Sequence, residues 1–296
     1  MQSENIHQIL LVDLGVVWYN ISRWQTSEPD AEYTEAYTER KNPMKIALIT
    51  GASSGLGREF AVQAAQQGGF DEIWVVARRA DRLRELADTL PVPVRPLPLD
   101  LLNVQSFETL DLLLKNAGAE IQLLVCAAGF GKFGACLDLS DEEISNMIDL
   151  NCKAVVRSCR TALSYMKAGS RIIVMGSSSA FQPLPEFNLY AATKAFVVSF
   201  CRALNVELKT RGISVTAVCP GFVRTEFFAV AKDTAHPDAC NNFKPLYECE
   251  DVVRQAYRDA AKSHDMSVYG LHVKLHRLLA KILPHDAIMR IWMKIK

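Results

Sequence analysis

The chain has 296 residues, 49% of them apolar and 22% charged, the balance of a globular protein with a substantial core. Its 33 lysines and arginines cancel its 33 acids, and no basic tract is interleaved with aromatics, so no nucleic-acid partner is expected. No window of about 18 uninterrupted apolar residues occurs, which leaves no candidate for a membrane-spanning helix.

Residues 1–43 differ in character from the rest of the chain. They carry seven acids against three bases, and residues 25–43 are polar with little periodicity. They read as a loosely ordered N-terminal extension. Two origins stay open for it, a genuine part of the protein or an upstream in-frame start. Residues 45–50 form a short apolar run closed by glycine, the pattern of a buried parallel strand. A glycine-rich turn comes next, then a helical stretch to about Gln67. Strands are expected at 72–77, 92–97, 121–126, 171–175 and 214–219. Helices are expected between them at 79–90, 104–115, 141–167 and 189–210. Ser140 and Glu143 make a capping box for the third of these helices, and Gly212 stops the fourth. Strands alternating with helices at this spacing predict an α/β fold with a doubly wound parallel sheet.

Beyond Pro220 the alternation stops. Residues 220–250, rich in phenylalanine, read as an insertion over the carboxyl edge of the sheet, where ligands bind in this architecture. A helix at 250–263 and an edge strand at 266–270 complete a domain spanning 44–270. The last stretch, 271–296, reads as one basic amphipathic helix. Leu271, Leu275, Leu278, Leu279, Ile282 and Leu283 share a face, and from Met266 onward six lysines and arginines face one acid. Such a helix can lie on a membrane surface, pack on a neighbouring subunit or cover a cleft.

Gly51, Gly55 and Gly57 sit between a strand and a helix. Glycine lets the backbone turn sharply and approach a pyrophosphate, and the helix N-terminus offers it free N–H groups. NAD-binding folds of this kind place a carboxylate at the end of the second strand. Here that position reads Arg78-Arg79, two guanidiniums suited to a phosphate, which points to NADP.

Tyr190 and Lys194 are four residues apart, on one face of an expected helix. A phenol titrates near pH 10, and moving it to about 7 takes about 4 kcal/mol. A cation at about 4 Å supplies a term of that order, burial opposes it, and an oxidised cofactor adds a second positive charge.

From Met44 to about Gly270 these segments resemble the short-chain dehydrogenase/reductase family. Thr50-Gly51-x-x-x-Gly55-x-Gly57 has its glycine spacing, and Tyr190-Ala-Ala-Thr-Lys194 matches its catalytic motif. Ser177 lies 13 residues before the tyrosine, the family's place for the catalytic serine. Ser178 is the alternative, because the triple serine leaves the register open by one. Asn151 matches the asparagine that completes the proton relay. The resemblance implies a Rossmann fold and an NADP(H)-dependent oxidoreductase acting on a ketone, aldehyde or secondary alcohol. Tyr190 is then the general acid/base, Lys194 lowers its pKa and holds the ribose, Ser177 bonds the substrate oxygen, and Asn151 passes protons to solvent.

The resemblance also implies the cofactor site. Gly51, Ser53, Ser54, Gly55, Leu56 and Gly57 would hold the pyrophosphate side. Arg78 and Arg79 would meet the ribose phosphate, and Asp100 the adenine. Ala128, Gly129, Tyr190 and Lys194 would line the middle, with Pro220, Gly221, Val223 and Thr225 at the nicotinamide. One departure is clear: the family's Asn-Asn-Ala-Gly is Cys126-Ala127-Ala128-Gly129 here, which predicts a changed local hydrogen-bond network.

The phenylalanine-rich insertion suggests a small hydrophobic carbonyl or alcohol substrate, and the family implies a homodimer or homotetramer. The alternative function is an NADP-binding sensor or scaffold with this fold and no turnover. Eight cysteines lie scattered, without a C-x-x-C pair or zinc-like spacing to the six histidines. No metal is assigned, and a reduced cytoplasmic setting is expected.

Overall fold

Runs such as 46–49 and 172–174 are apolar at every position, which suits strands covered on both faces. The computed structural model describes residues 42–234 and 237–296, and within it Met44–Lys296 forms one compact unit. The extension read at 1–43 lies, except for its last two residues, outside the described residues.

The strands in chain order are β1 (Met44–Thr50), β2 (Glu72–Val76), β3 (Val94–Leu97), β4 (Ala119–Cys126), β5 (Arg171–Met175) and β6 (Ser214–Val218). Three two-residue strands complete the set: β7 (Phe222–Val223), β8 (Leu246–Tyr247) and β9 (Met266–Ser267). Seven of the nine make one parallel sheet in the order β3-β2-β1-β4-β5-β6-β9. The chain reverses its winding between β1 and β4, which opens a crevice at their carboxyl ends.

Helices α1 (Gly55–Gln67), α2 (Ala80–Thr89), α3 (Gln105–Asn116), α4 (Asp141–Ile148), α5 (Ala154–Leu163) and α6 (Asn188–Glu207) fill the crossovers. Then come α7 (Phe227–Lys232), α8 (Cys249–Ala261), α9 (Leu271–Ile282) and α10 (His285–Ile295). Phe60 of α1, Leu83 of α2 and Val252 of α8 share one core with Ile49, Val75 and Ile173. Their strand neighbours Leu48, Trp74 and Ile172 alternate to the other face and are equally buried. Ser140 caps α4 as expected: its Oγ accepts from Glu143 N at 3.2 Å while its own N–H donates to Glu143 at 3.0 Å.

Two expected helices are divided. The one read at 141–167 widens into a π turn at Asp149–Lys153 and ends at Leu163. Asn151 in that turn is drawn inward by bonds to the backbone of Phe130 and to Thr193, and the widened turn accommodates it. The single helix read at 271–296 is two. Pro284 lacks the N–H needed to continue α9 and pushes Leu283 to ψ 144, so the chain bends before α10. Leu283 therefore caps α9 instead of extending its apolar face. Val273 and Ala280 anchor α9, whereas Leu271, Leu275, Leu278 and Ile282 point outward. The insertion is also more ordered than its sequence suggests: β7 and β8 pair in parallel, Phe222 beside Leu246, and α7 runs between them. No helix among the described residues is long and apolar enough to cross a membrane.

Candidate active site

The crevice is a cavity of about 560 Å³ running from the β1–α1 turn to α7. That size suits a small organic ligand. Every residue expected to bind cofactor lines it, as do Ser177, Tyr190 and Lys194. Asn151 is fully buried behind the wall.

Its nucleotide end is shaped by glycine. Gly51 (φ +71) lies so close to β4 that a Cβ there would come within 2.6 Å of Ala128 N. A Cβ on Gly57 would meet Gly51 O at 2.3 Å. The turn therefore tolerates no side chain, and α1 starts at Gly55 with no side-chain cap and no acid in its first turn. Its N–H groups and positive dipole end are left for an anion. The altered 126–129 segment is secured from β1, because Thr50 Oγ1 accepts from Ala127 N at 3.2 Å and Ala128 N at 3.4 Å. These bonds show how the loop is held with alanines at both positions.

The two arginines after β2 behave differently. Arg78 is exposed, lines the cavity and has no ion pair among the described residues. Arg79 donates to Ser53 Oγ at 3.1 Å, Ser54 Oγ at 2.8 Å and Glu226 Oε2 at 2.9 Å. Asp100 accepts from Leu102 N at 3.0 Å, which folds the turn after β3 against the cavity.

At the opposite end α6 delivers Tyr190 and Lys194 from successive turns. Tyr190 stacks on Phe187 with ring centroids 4.4 Å apart, and Phe227 of α7 closes on it at 5.4 Å. Gly131 leaves room for this ring, since a Cβ there would come within 2.7 Å of it. Ser177 stands beside the Tyr190 hydroxyl, which its own hydroxyl draws downward in pKa, and its Oγ accepts from Ser179 N at 3.1 Å. Ser178 instead donates its N–H to Pro220 O at 2.8 Å, tying the β5 loop to the β6 loop. Of the two serines, the structure brings Ser177 to the phenol.

Lys194 Nζ donates to Met175 O at 2.7 Å and stands 5.6 Å from the Tyr190 ring centre. Asn151 Nδ2 donates to Phe130 O at 2.8 Å and to Thr193 Oγ1 at 3.0 Å, while its Oδ1 accepts from Phe130 N at 3.1 Å. Its side chain thus braces the Phe130 loop against α6, and a proton path through it has only the remaining lone pair of Oδ1 to use.

Burial governs the charges here. It pushes the Tyr190 phenol above its ordinary value, against the downward pull of the Ser177 hydroxyl. It brings the Lys194 ammonium down to about 8. The lowering of Tyr190 expected from Lys194 does not outweigh desolvation in this geometry.

Thr193, Glu226 and Arg82 take part in the site without having been singled out in the sequence. Thr193 sits inside the Tyr-x-x-x-Lys spacing, and Arg82 lies one helical turn after Arg79. Glu226 gives no sequence signal, since only the fold carries it to the arginines.

Residues 45–236 match the family model for short chain dehydrogenases. The chain belongs to this family. Among curated relatives of these dehydrogenases, sulfoacetaldehyde reductase 2 of Chromohalobacter salexigens is 33% identical, over 77% of this chain and 93% of its own. A 3-oxoacyl-[acyl-carrier-protein] reductase of Haemophilus influenzae is 30% identical, over 71% of this chain and 88% of its own. Among solved structures, a short-chain dehydrogenase from Sphingobium yanoikuyae in complex with NADPH superposes with a TM-score of 0.68 at 29% identity. That alignment covers 84% of this chain and 96% of the other. Family membership makes the protein an oxidoreductase of CH–OH or carbonyl groups that uses a nicotinamide cofactor. The glycine cradle, the open helix N-terminus and the arginines after β2 fit such a group.

Proposed function

We propose that the protein is an NADP(H)-dependent reductase of a hydrophobic ketone or aldehyde. The observation that carries this reading is the meeting of Ser177, Tyr190 and Lys194 in one cavity with the Gly51–Gly57 cradle. Arg78 and Arg79, in place of a carboxylate after β2, support the phosphate-bearing cofactor. The Sphingobium relative in complex with NADPH agrees with that choice.

The bound nicotinamide supplies the hydride. Tyr190 gives its phenolic proton to the carbonyl oxygen as the hydride arrives at carbon. A buried phenol held above its ordinary pKa stays protonated at neutral pH, the form needed to donate. Both curated relatives are named for reduction of a carbonyl, which supports that direction. Ser177, adjacent to Tyr190, hydrogen-bonds the same oxygen and aligns it. Lys194 stands behind the ring as an ammonium below pH about 8 and offsets the phenolate left after proton transfer. Asn151 fixes the Phe130 loop that faces Tyr190.

The substrate end is lined by Phe130, Phe133, Phe187, Phe227, Phe228 and Val230, which favours an apolar or aromatic group beside the carbonyl. A panel of ketones, aldehydes and secondary alcohols, run with NADPH and with NADH, tests the reading. Turnover of bulky apolar carbonyls with NADPH, absent in Tyr190→Phe, is the expected result. Turnover confined to short polar sugars would overturn the substrate class, and equal use of NADH would overturn the cofactor preference.

A further inference from the structure

Glu226 is the residue immediately before α7 and lines the cavity together with Arg79. Its carboxylate accepts from Arg79 Nη1 at 2.9 Å and from Arg82 Nη1 at 3.2 Å. Ser54, at the glycine turn, accepts from the same Arg79 guanidinium at 2.8 Å. The bonds to Glu226, led by the one from Arg79, hold its carboxyl below the usual range. Two guanidiniums from the nucleotide end of the cavity thus converge on an anion supplied by the substrate loop. The flanking residues join that contact to the rest of the site. A Cβ on Gly55 would touch the Thr225 methyl at 3.0 Å, so this loop already presses on the turn. Phe227, one residue further on, packs against Tyr190.

We propose that Glu226 is an internal competitor for the phosphate-binding arginines, and that a 2′-phosphate on the adenosine ribose displaces it and frees α7. This role rests on the NADP reading of the cofactor site. Arg79 cannot give its full set of donors to both anions. A phosphate monoester carries about −1.5 to −2 at neutral pH against −1 for a carboxylate, so the phosphate wins the guanidinium. The arginine and glutamate side chains are each about half exposed, at 42%, 44% and 47%. Such a contact is screened and weak enough for a ligand to break. Glu226 then sets cofactor selectivity and links its loading to the segment that covers the substrate. A cofactor without the phosphate leaves the loop clasped.

The test measures binding of fragments, not turnover. Adenosine 2′,5′-bisphosphate and 5′-AMP are titrated calorimetrically into the wild type, Glu226→Gln and the Arg79→Ala/Arg82→Ala double variant. Amide exchange of α7 is followed alongside. Glu226→Gln should bind the bisphosphate roughly fivefold more tightly, equivalent to about 1 kcal/mol, and 5′-AMP within about twofold of wild type. Its α7 should exchange faster without ligand, to the level that the bisphosphate, but not 5′-AMP, produces in the wild type. Adding Glu226→Gln to the double variant should bring no gain. Glu248→Gln, which breaks the neighbouring exposed Arg224 pair, serves as the control for surface charge and should change neither readout. If the wild type prefers the bisphosphate and Glu226→Gln leaves both affinity and exchange unchanged, the competitor role is wrong and the NADP reading stands. If neither protein prefers the bisphosphate, the NADP reading fails and the competitor role with it.

Discussion

Tyr190 shows how closely two roles sit on one side chain. Its ring is a packing element between Phe187 and Phe227, and its hydroxyl is the proposed acid. Tyr190→Phe separates them. The ring stays, and with it the packing against both phenylalanines. The reduction rate should fall by roughly 10²–10⁴, the usual contribution of a positioned general acid, with nucleotide affinity unchanged. A variant that keeps a tenth of the rate would remove Tyr190 from the mechanism. The cysteines allow a second prediction at this scale. Burial pushes Cys219 up to about 12 and Cys249 to about 11 and raises Cys152, Cys201 and Cys240, while the hydrogen bond with Cys159, followed by burial, raises Cys126. Cys159 is buried, which leaves Cys136 as the exposed thiol. An aromatic disulfide reagent at pH 8 should titrate one fast thiol in the native protein and none in Cys136→Ser. Several fast thiols would mean the core opens far more readily than this packing implies.

At the scale of elements, the α/β alternation was legible because strand runs covered on both faces and glycine turns have few alternative readings. Arg171–Met175 has the limits read from the sequence, since its apolar run is bounded by glycines and serines. The π turn was not legible. Asn151 looks like any polar residue in a helix until the Phe130 loop and Thr193 are brought to it from distant parts of the chain. Glu226 failed for the same reason, since its partners lie 147 and 144 residues away. The division at Pro284 had a sequence signal that the regular apolar spacing masked. It matters because α10 returns to the active site: Trp292 is buried with Phe133, Phe187 and Tyr190, and its Nε1 donates to Pro185 O at 2.9 Å. Trp292→Ala removes a contact of the kind worth about 3–5 kcal/mol in a core. Because α10 is terminal, the loss should appear as local opening, with its amides exchanging freely and the melting temperature falling less than that figure implies. The reduction rate should drop with it, since Phe187 and Tyr190 lose a wall. Trp292→Phe should recover most of the rate without the hydrogen bond to Pro185. Unchanged α10 protection in Trp292→Ala would show that the helix is held elsewhere.

For the whole molecule, the active site is a source of instability that pH reveals. Lys194 is 5% exposed, and burial lowers its folded pKa to about 8 from an ordinary 10.5. Below pH 8 both folded and unfolded chains carry the proton, and the folded state bears the cost of a buried ammonium, about 3 kcal/mol. Between pH 8 and 10.5 the unfolded chain binds a proton that the folded chain has released. The Lys194 contribution to stability therefore rises with pH across that window. Tyr190, whose folded pKa lies above its unfolded value, works in the opposite direction but only from about pH 10 upward. Comparison of pH 7 with pH 9.5 isolates the lysine. Lys194→Met carries no titrating group at this position, and the rest of the chain titrates alike in both proteins. The unfolding free energy of Lys194→Met minus that of wild type, from denaturant titrations, should be greater at pH 7 than at pH 9.5 by about 2 kcal/mol. Any constant penalty for leaving Met175 O without its donor cancels in this difference. A difference that does not change with pH would mean that Lys194 keeps an ordinary pKa, and with it that water reaches the floor of the site.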